Sequence, residues 1–476
     1  MTPDLLPYPA MKDSGVPWLG EVPEHWNVKR NKVFMHEVNI RSQDGLGDLL
    51  SVSQYTGVTR RRDRLSDEGR LLTNAASLVG YKKVQSGDLV INIMLAWNGS
   101  LGVSHIEGIV SPAYCVFRIR DADAIPGFIH YLFRTPVFTG LFKTVSIGVV
   151  DSRLRLYPDI FFRLSSSLPP FPEQSAIIRF LDHADRRIRR YVRAKRKLIR
   201  LLEEQKRAII HQAVTRGLDP SVRLKPSGVE WLGDVPEHWE LRRAKQVCTA
   251  IVDCKNRTPD AVENGGYTVV RTTNIRNGKF NLLGSYPTDR RNYEIWTQRG
   301  APRSGDVFFT REAPAGEACL VPDQDNLCMG QRMMYFRPDT DVLDPRFLLL
   351  SIYGPTVKTY IQNACNGSTV GHLRLGQVTA LPLLWCPLSE QKAIVDYVEE
   401  ASKPINTTIN RAEREIDLLN EYRTRLIADV VTGKLDVRAA AAGLPDETEE
   451  SGLPDDTEID AEDDADPTDE LAEADG

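Results

Sequence analysis

The sequence predicts an α+β fold of two tandem domains with two long helices, and it does so through a duplication, a pair of heptad stripes and a shared set of strand-like runs. Residues 13–30, DSGVPWLGEVPEHWNVKR, match residues 226–243, PSGVEWLGDVPEHWELRR, at 12 of 18 positions. A second match starts at Glu173 and Glu390, runs 47 residues without a gap and holds 15 identities. Each copy therefore reads as a Trp-rich leader, a middle of about 135 residues and a long helix. The expected boundaries are 1–167 for the first leader and middle, 168–219 for the first helix, 220–386 for the second leader and middle, 387–440 for the second helix, and 441–476 for a tail.

The leaders carry Trp18, Trp26, Trp231 and Trp239. Their duplicate placement beside proline assigns them, with the Glu24–His25 and Glu237–His238 pairs, to packing rather than to acid–base chemistry. The middles share only a sparse frame: SGDLV at 86 with SGDVF at 304, VFRI at 116 with YFRP at 335, and LRL at 154 with LRL at 373. Apolar runs such as DLVINIML and VFFT read as strands, with turns at Asn98–Gly99 and Asn277–Gly278. PGFIHYLFRT and PRFLLLSIYG read as short helices that follow them.

In the first long segment Ile188, Val192, Lys195, Ile199, Leu202, Lys206, Ile209 and Ala213 step by four and three. In the second, Ile405, Ile409, Ala412, Ile416, Leu419, Leu426 and Val430 do the same, with Arg423 in the remaining slot. Such a stripe is a coiled-coil seam. Residues 188–213 alone extend about 39 Å. Gly217 and Gly433 supply helix stops, and Pro404 is expected to kink the second helix or to begin it afresh. Residues 173–216 carry 13 basic and 5 acidic side chains, and residues 390–433 carry 6 and 9. The opposite signs favour an antiparallel coiled coil between the two, and with it a pseudo-twofold arrangement.

The formal charge of −5 conceals a division. Sixteen acidic and no basic residues lie between Asp446 and Asp475, which leaves 49 acidic against 60 basic residues elsewhere. The tail reads as disordered, either solubilising the chain or competing with a polyanion for the basic body. Seven scattered cysteines with no CxxC pair favour neither a disulfide framework nor a zinc site. No metal site is expected. No stretch approaches the roughly 18 apolar residues of a membrane span, and the expected location is cytoplasmic.

The WLGxVPEHW leader, the PxxEQxxI entry into a long helix, the LLxE…VT ending, and the duplication of that whole order resemble the specificity subunit of type I DNA restriction-modification systems. The likeness covers roughly residues 10–440. It implies that the middles are target-recognition domains, each reading one half of a split, asymmetric site in double-stranded DNA. It implies that the paired helices set the spacing and dock two methyltransferase (modification) subunits, with motor-nuclease (restriction) subunits as further partners. This chain would then be non-catalytic and hold no cofactor, S-adenosylmethionine, ATP and magnesium belonging to the partners. One heptad inserted in both helices, about 10 Å, is expected to lengthen the spacer by about three base pairs, as read from the methylated motif.

Arginine can fork onto guanine, asparagine or glutamine onto adenine, and lysine or threonine can hold phosphates. On that basis the first middle offers Arg60, Arg61, Arg62, Arg64, Lys82, Lys83 and Asn98 as DNA-binding candidates. The second offers Arg271, Thr273, Asn274, Arg276, Lys279, Arg311, Gln331, Arg332 and Arg374. Trp97 and Asn98 either line a DNA-facing loop or pack a turn. There is no GxxxxGK[ST] loop. LPPFP at 168 lacks the polar residue that the methyltransferase motif [DN]PP[FY] needs, and Glu390-Gln391-Lys392 matches a nuclease ExK fragment only in isolation. A single-chain nuclease or methyltransferase with duplicated DNA-binding domains, or a protein-binding coiled-coil adaptor, are the other readings.

Overall fold

The computed structural model describes residues 5–61, 77–120, 124–150, 153–229, 231–365 and 371–445. Arg62, Arg64 and the acidic run from Asp446 lie outside them. The chain divides into two compact units, one formed by residues up to 194 together with those from 415 onward, the other by residues 195–414.

In the first unit the strands β1 (Met35–Val38), β2 (Leu50–Ser53), β3 (Gly57–Arg60), β4 (Lys82–Val84), β5 (Leu89–Asn92), β6 (Leu101–Val103), β7 (Gly108–Val110) and β8 (Tyr114–Ile119) build two small layers. The main sheet is antiparallel in the order β1-β8-β5-β6. The helix α1 (Pro126–Phe133) packs on one face through Phe128 and Phe133, alongside Phe117, Phe138, Phe142 and Phe161. The other face is covered by β2, β3, β4 and β7: Leu89 and Ile91 point to the first cluster, whereas Val90 joins Val52, Val58, Val84 and Val110. A strand buried on both faces loses the apolar–polar alternation, which is why DLVINIML reads as an unbroken run. Within the covering layer β2 pairs antiparallel with β3, and Leu49 bridges in parallel to Ile109 of β7.

The second unit repeats this plan with β9 (Cys248–Asp253), β10 (Tyr267–Val270), β11 (Ile275–Arg276), β12 (Lys279–Phe280), β13 (Tyr286–Thr288), β14 (Val307–Arg311), β15 (Ala315–Leu320), β16 (Leu327–Met329) and β17 (Met333–Pro338). Its main sheet is β9-β17-β14-β15, backed by the helix α3 (Pro345–Tyr353). The covering layer has β10 antiparallel to β13 and parallel to β16, so β10, β13 and β16 correspond to β2, β3 and β7. The repeated SGD and FR motifs are one device. Asp88 binds Arg118 through two hydrogen bonds of 2.9 and 3.0 Å, and Asp306 binds Arg337 through two of 2.8 and 2.7 Å. Each carboxylate also accepts a backbone N–H, from Gln85 and Arg303 respectively.

Two long helices, α2 (Phe171–Arg216) and α4 (Leu388–Val431), pass through both units. They pack together antiparallel. In the first unit Arg423 of α4, the polar slot in the stripe, is paired with Asp185 of α2. In the second, Lys206 of α2 donates to Asn406 Oδ1 of α4 at 3.0 Å. Ile188, Val192, Ile405, Ala412 and Leu426 are buried, and Ile199, Leu202, Ile209, Ile409, Ile416 and Leu419 are half-buried. Pro404 does not begin a new helix: α4 runs through it, and the carbonyl of Glu400 is left without its helical donor. Gly217 and Gly433 end the helices at φ 70° and 80°. The end of α4 completes the first unit's core with Leu426, Val430 and Val431, and the end of α2 completes the second with Ala213 and Val214.

The EHW and EQ motifs meet at the start of each long helix. Glu173 accepts from Tyr8 Oη at 2.6 Å and Trp26 Nε1 at 2.9 Å, and its other oxygen lies 2.7 Å from His25 Nε2. Glu390 holds Trp239 Nε1 at 3.0 Å and His238 Nε2 at 2.8 Å. The acid of the ExK fragment is thus occupied by the leader. Gln174 accepts from Ile125 N and donates to Pro169 O; Gln391 accepts from Asp344 N and donates to Val342 O and Cys386 O. No helix among the described residues is long and apolar enough to cross a membrane.

Candidate nucleic-acid interface

Strand direction brings a set of loops to one end of each main sheet. In the second unit that rim holds residues 254–257 after β9, 271–285 between β10 and β13, 312–314 between β14 and β15, and 330–332 before β17. It joins candidates far apart in sequence. Arg311 N donates to Arg332 O, Leu373 N donates to Arg311 O, and Gly330 N donates to Val270 O, which sets Arg271 beside Gln331. Arg271, Thr273, Arg276, Lys279, Gln331, Arg332 and Arg374 are all exposed there.

The rim is not uniformly free. The Arg311 side chain is only 12% exposed and lies 3.2 Å from Asp253 Oδ2, and its Nη2 donates to Asn256 at 3.3 Å. It is a strut under the rim. Glu312 faces Arg332 at 3.5 Å and His372 at 3.0 Å. Asn274 is wholly buried: it accepts from Arg271 N and donates to the carbonyls of Asn281 and Leu283. A side chain that closes its own loop offers nothing to a base, so Asn274 leaves the set of readers. Beyond it the Asn277–Gly278 turn links β11 to β12, with φ of 48° and 79°, the two left-handed residues that a two-residue hairpin requires.

The first rim corresponds loop for loop, with residues 39–41, 54–56, 93–100 and 111–113. Its chemistry differs. Tyr55 is 56% exposed, Trp97 is half-buried with Nε1 donating to Met94 O, and Lys143 lies over the Trp97 ring at 5.0 Å. Asn98 accepts from Ser100 N and Ser100 Oγ and shapes its own turn. Lys82 is turned inward, 6% exposed, its Nζ donating to Tyr114 O at 2.7 Å; its neighbour Lys83 is exposed. Arg60 pairs across the hairpin with Leu50, at the end of β3 remote from Tyr55, and forms an ion pair with Asp48 at 3.0 Å. Arg60 and Arg61 are therefore not brought to the rim that holds Tyr55 and Asn98.

Sequence reasoning passed over Lys255, Asn256 and Arg257, in a short run (CKNRTPD) with no periodic signal, and over His130. His130 is packed against Gly57 and Gly102, and its Nδ1 accepts from Val103 N at 3.2 Å. Burial, reinforced by the Arg134 charge, lowers its pKa to about 3. The unfolded chain thus binds a proton that the folded one refuses. Stability present above about pH 6.5 should be lost at about 1.4 kcal/mol per unit as pH falls from there toward 3, measurable as a drop in the first unit's melting temperature that His130→Leu reduces.

The family described as the type I restriction modification DNA specificity domain matches residues 236–417. Residues 236–417 read as a type I specificity domain. The match runs from the second leader to the middle of α4, so it takes in the whole second rim. A protein of Methanocaldococcus jannaschii named as a type I restriction enzyme MjaX specificity subunit is 22% identical over 437 residues, covering 88% of this chain and 96% of that one. A chain from a solved type I R-M system, described for its complex assembly and conformational transition, superposes with a TM-score of 0.59 at 17% identity, over 87% of this chain and 99% of the other. That likeness shows the shared fold. The specificity-subunit resemblance carried by the leader and EQ motifs is borne out, and the single-chain nuclease or methyltransferase reading is not favoured.

Proposed function

We propose that this chain is the recognition subunit of a type I restriction-modification complex, reading a bipartite, asymmetric DNA site with one rim per half-site. Partner subunits then carry out adenine methylation and cleavage. The observation that supports it is the pairing of one frame with two divergent rims: the same loops recur at the same strand ends, one set aromatic and nearly neutral, the other rich in arginine. Two readers built alike but lined differently suit two unlike half-sites. In this reading the partners are two methyltransferase subunits and a motor-nuclease subunit, docked on the helices; S-adenosylmethionine, ATP and magnesium act there, and the chain works in the cytoplasm. Residues 1–167 and 220–386 are the two recognition domains, with 168–219 and 387–440 as spacer helices.

The test is single-molecule methylome sequencing of a host carrying this gene with its neighbouring methyltransferase, against one lacking only this chain. A split motif with two methylated adenines, lost on deletion, is expected; an unchanged methylome would sink the proposal. Arg276, Lys279 and Arg374 are proposed to hold phosphates. Replacing all three with alanine should weaken binding at every sequence and flatten the plot of log affinity against log salt by about one unit of slope per residue, as followed by fluorescence anisotropy of the complex, with the methylated motif unchanged.

A further inference from the structure

The short helix behind each main sheet closes, at its last residue or the one just past it, on a position that the duplication aligns but does not preserve. PGFIHYLFR ends in Arg134 and PRFLLLSIY ends in Tyr353, each the ninth residue of its run. Both side chains are half-buried, and both reach the loop that follows the first strand of the covering layer.

Arg134 gathers carbonyls. Its Nη1 donates to Ser53 O at 3.3 Å, Gly99 O at 3.3 Å and Leu101 O at 2.6 Å, and its Nη2 donates to Gln54 O at 2.6 Å and Tyr55 O at 3.0 Å. All five acceptors are backbone; two of them, Gln54 and Tyr55, belong to the β2–β3 turn, and a third, Ser53, is the last residue of β2. The turn closes on Gly57 at φ 76°, where a Cβ would meet His130 at 3.0 Å and Arg134 at 3.4 Å. Only a flat fork with five N–H donors can serve so many acceptors at once.

Tyr353 does the opposite work. Its hydroxyl accepts from Gly278 N at 2.8 Å and Ala318 N at 3.1 Å, and donates to Glu317 Oε2 at 2.8 Å. That carboxylate accepts from Asn277 N at 2.7 Å. The β11–β12 turn presents N–H groups where the β2–β3 turn presents carbonyls, and the anchor differs in kind accordingly: a donor in the first unit, an acceptor in the second.

We infer that Arg134 and Tyr353 are the positioning residues of the two recognition domains, each fixing the loop between the first two strands of its covering layer, so that each governs the reading of one half-site and not the other. The inference rests on the proposal that these rims read DNA. A group that merely stabilised its unit would alter yield and melting temperature but leave the bases chosen unchanged.

The experiment uses the full chain with its methyltransferase in the host, carrying Arg134→Lys or Tyr353→Phe, with the methylome read for each half-site separately. Arg134→Lys should relax one half of the motif and Tyr353→Phe the other, each lowering discrimination at one or two positions by about tenfold, with the spacer unchanged. Amide exchange of purified Tyr353→Phe should quicken at Gly278 by about fivefold for the loss of one hydrogen bond, the main sheet staying protected. If the lysine variant does not fold, Tyr353→Phe, which removes one oxygen and keeps the ring, decides alone. A folded variant with both half-sites intact, or with both relaxed equally, overturns the assignment. A split motif that persists without the chain overturns the recognition reading itself, and this assignment with it.

Discussion

Glu173→Ala should lower the stability of the first unit by about 3–5 kcal/mol. The carboxylate is 5% exposed and serves three donors from the leader, of which Trp26 is 0% and Tyr8 5% exposed. Alanine leaves an indole N–H and a phenol O–H facing a void that the first turn of α2 cannot close. Glu173 also raises the Tyr8 pKa, second only to burial itself, a sign that the hydroxyl donates firmly. Glu390→Ala is the internal comparison. Its carboxylate is 26% exposed, its His238 partner 46%, and water can replace it there, so a smaller loss of about 1–2 kcal/mol is expected. Urea unfolding followed by tryptophan fluorescence measures both, and equal losses would refute the account from burial.

Asp306→Ala should cost the second unit a similar amount, about 3–5 kcal/mol. Asp306 is 1% exposed; its removal strands the Arg337 guanidinium, which is only 20% exposed, and frees the Arg303 N–H. The pair is charge-assisted and two-pronged, the strongest geometry available to these side chains. The double variant Asp306→Ala with Arg337→Leu should recover part of the loss, because it removes the unpaired charge as well as its partner. Failure to recover any of it would mean that Asp306 acts mainly through the Arg303 turn.

Much of the frame was legible because its recurring motifs are ones in which several groups must fit together. Trp26 and Trp239 need a carboxylate at the start of a long helix, Gln174 and Gln391 each bind the backbone N–H that precedes a short helix, and Asp88 and Asp306 each need an arginine on the neighbouring strand of the main sheet. Such demands hold identity in place while the intervening residues drift. The candidate interface was legible only as a composition. Asn98, Asn274 and Lys82 have the chemistry of base and phosphate readers, yet each spends it on nearby backbone, and no pattern in the chain separates an amide that closes a turn from one that faces solvent. Arg311 failed in the same way, since Asp253 is 58 positions distant. Pro404 was read from its missing N–H alone, without the packing along α4 that holds the helix through it. The correspondence between residues 54–56 and 271–285 was invisible because it lies in strand order and not in side chains.

That correspondence bears on how such a chain can change. Between the same two strands of the covering layer, one copy inserts three residues (54–56) and the other fifteen (271–285). Closing a loop of fifteen residues instead of three costs only about 1.4 kcal/mol in chain entropy, less than one good buried hydrogen bond can lose. The sheet beneath keeps its order in both units, so length and composition can be exchanged at this single joint while the scaffold stays unaltered. Diversification of the rim becomes inexpensive in stability, and the helix-backed frame is what makes it so.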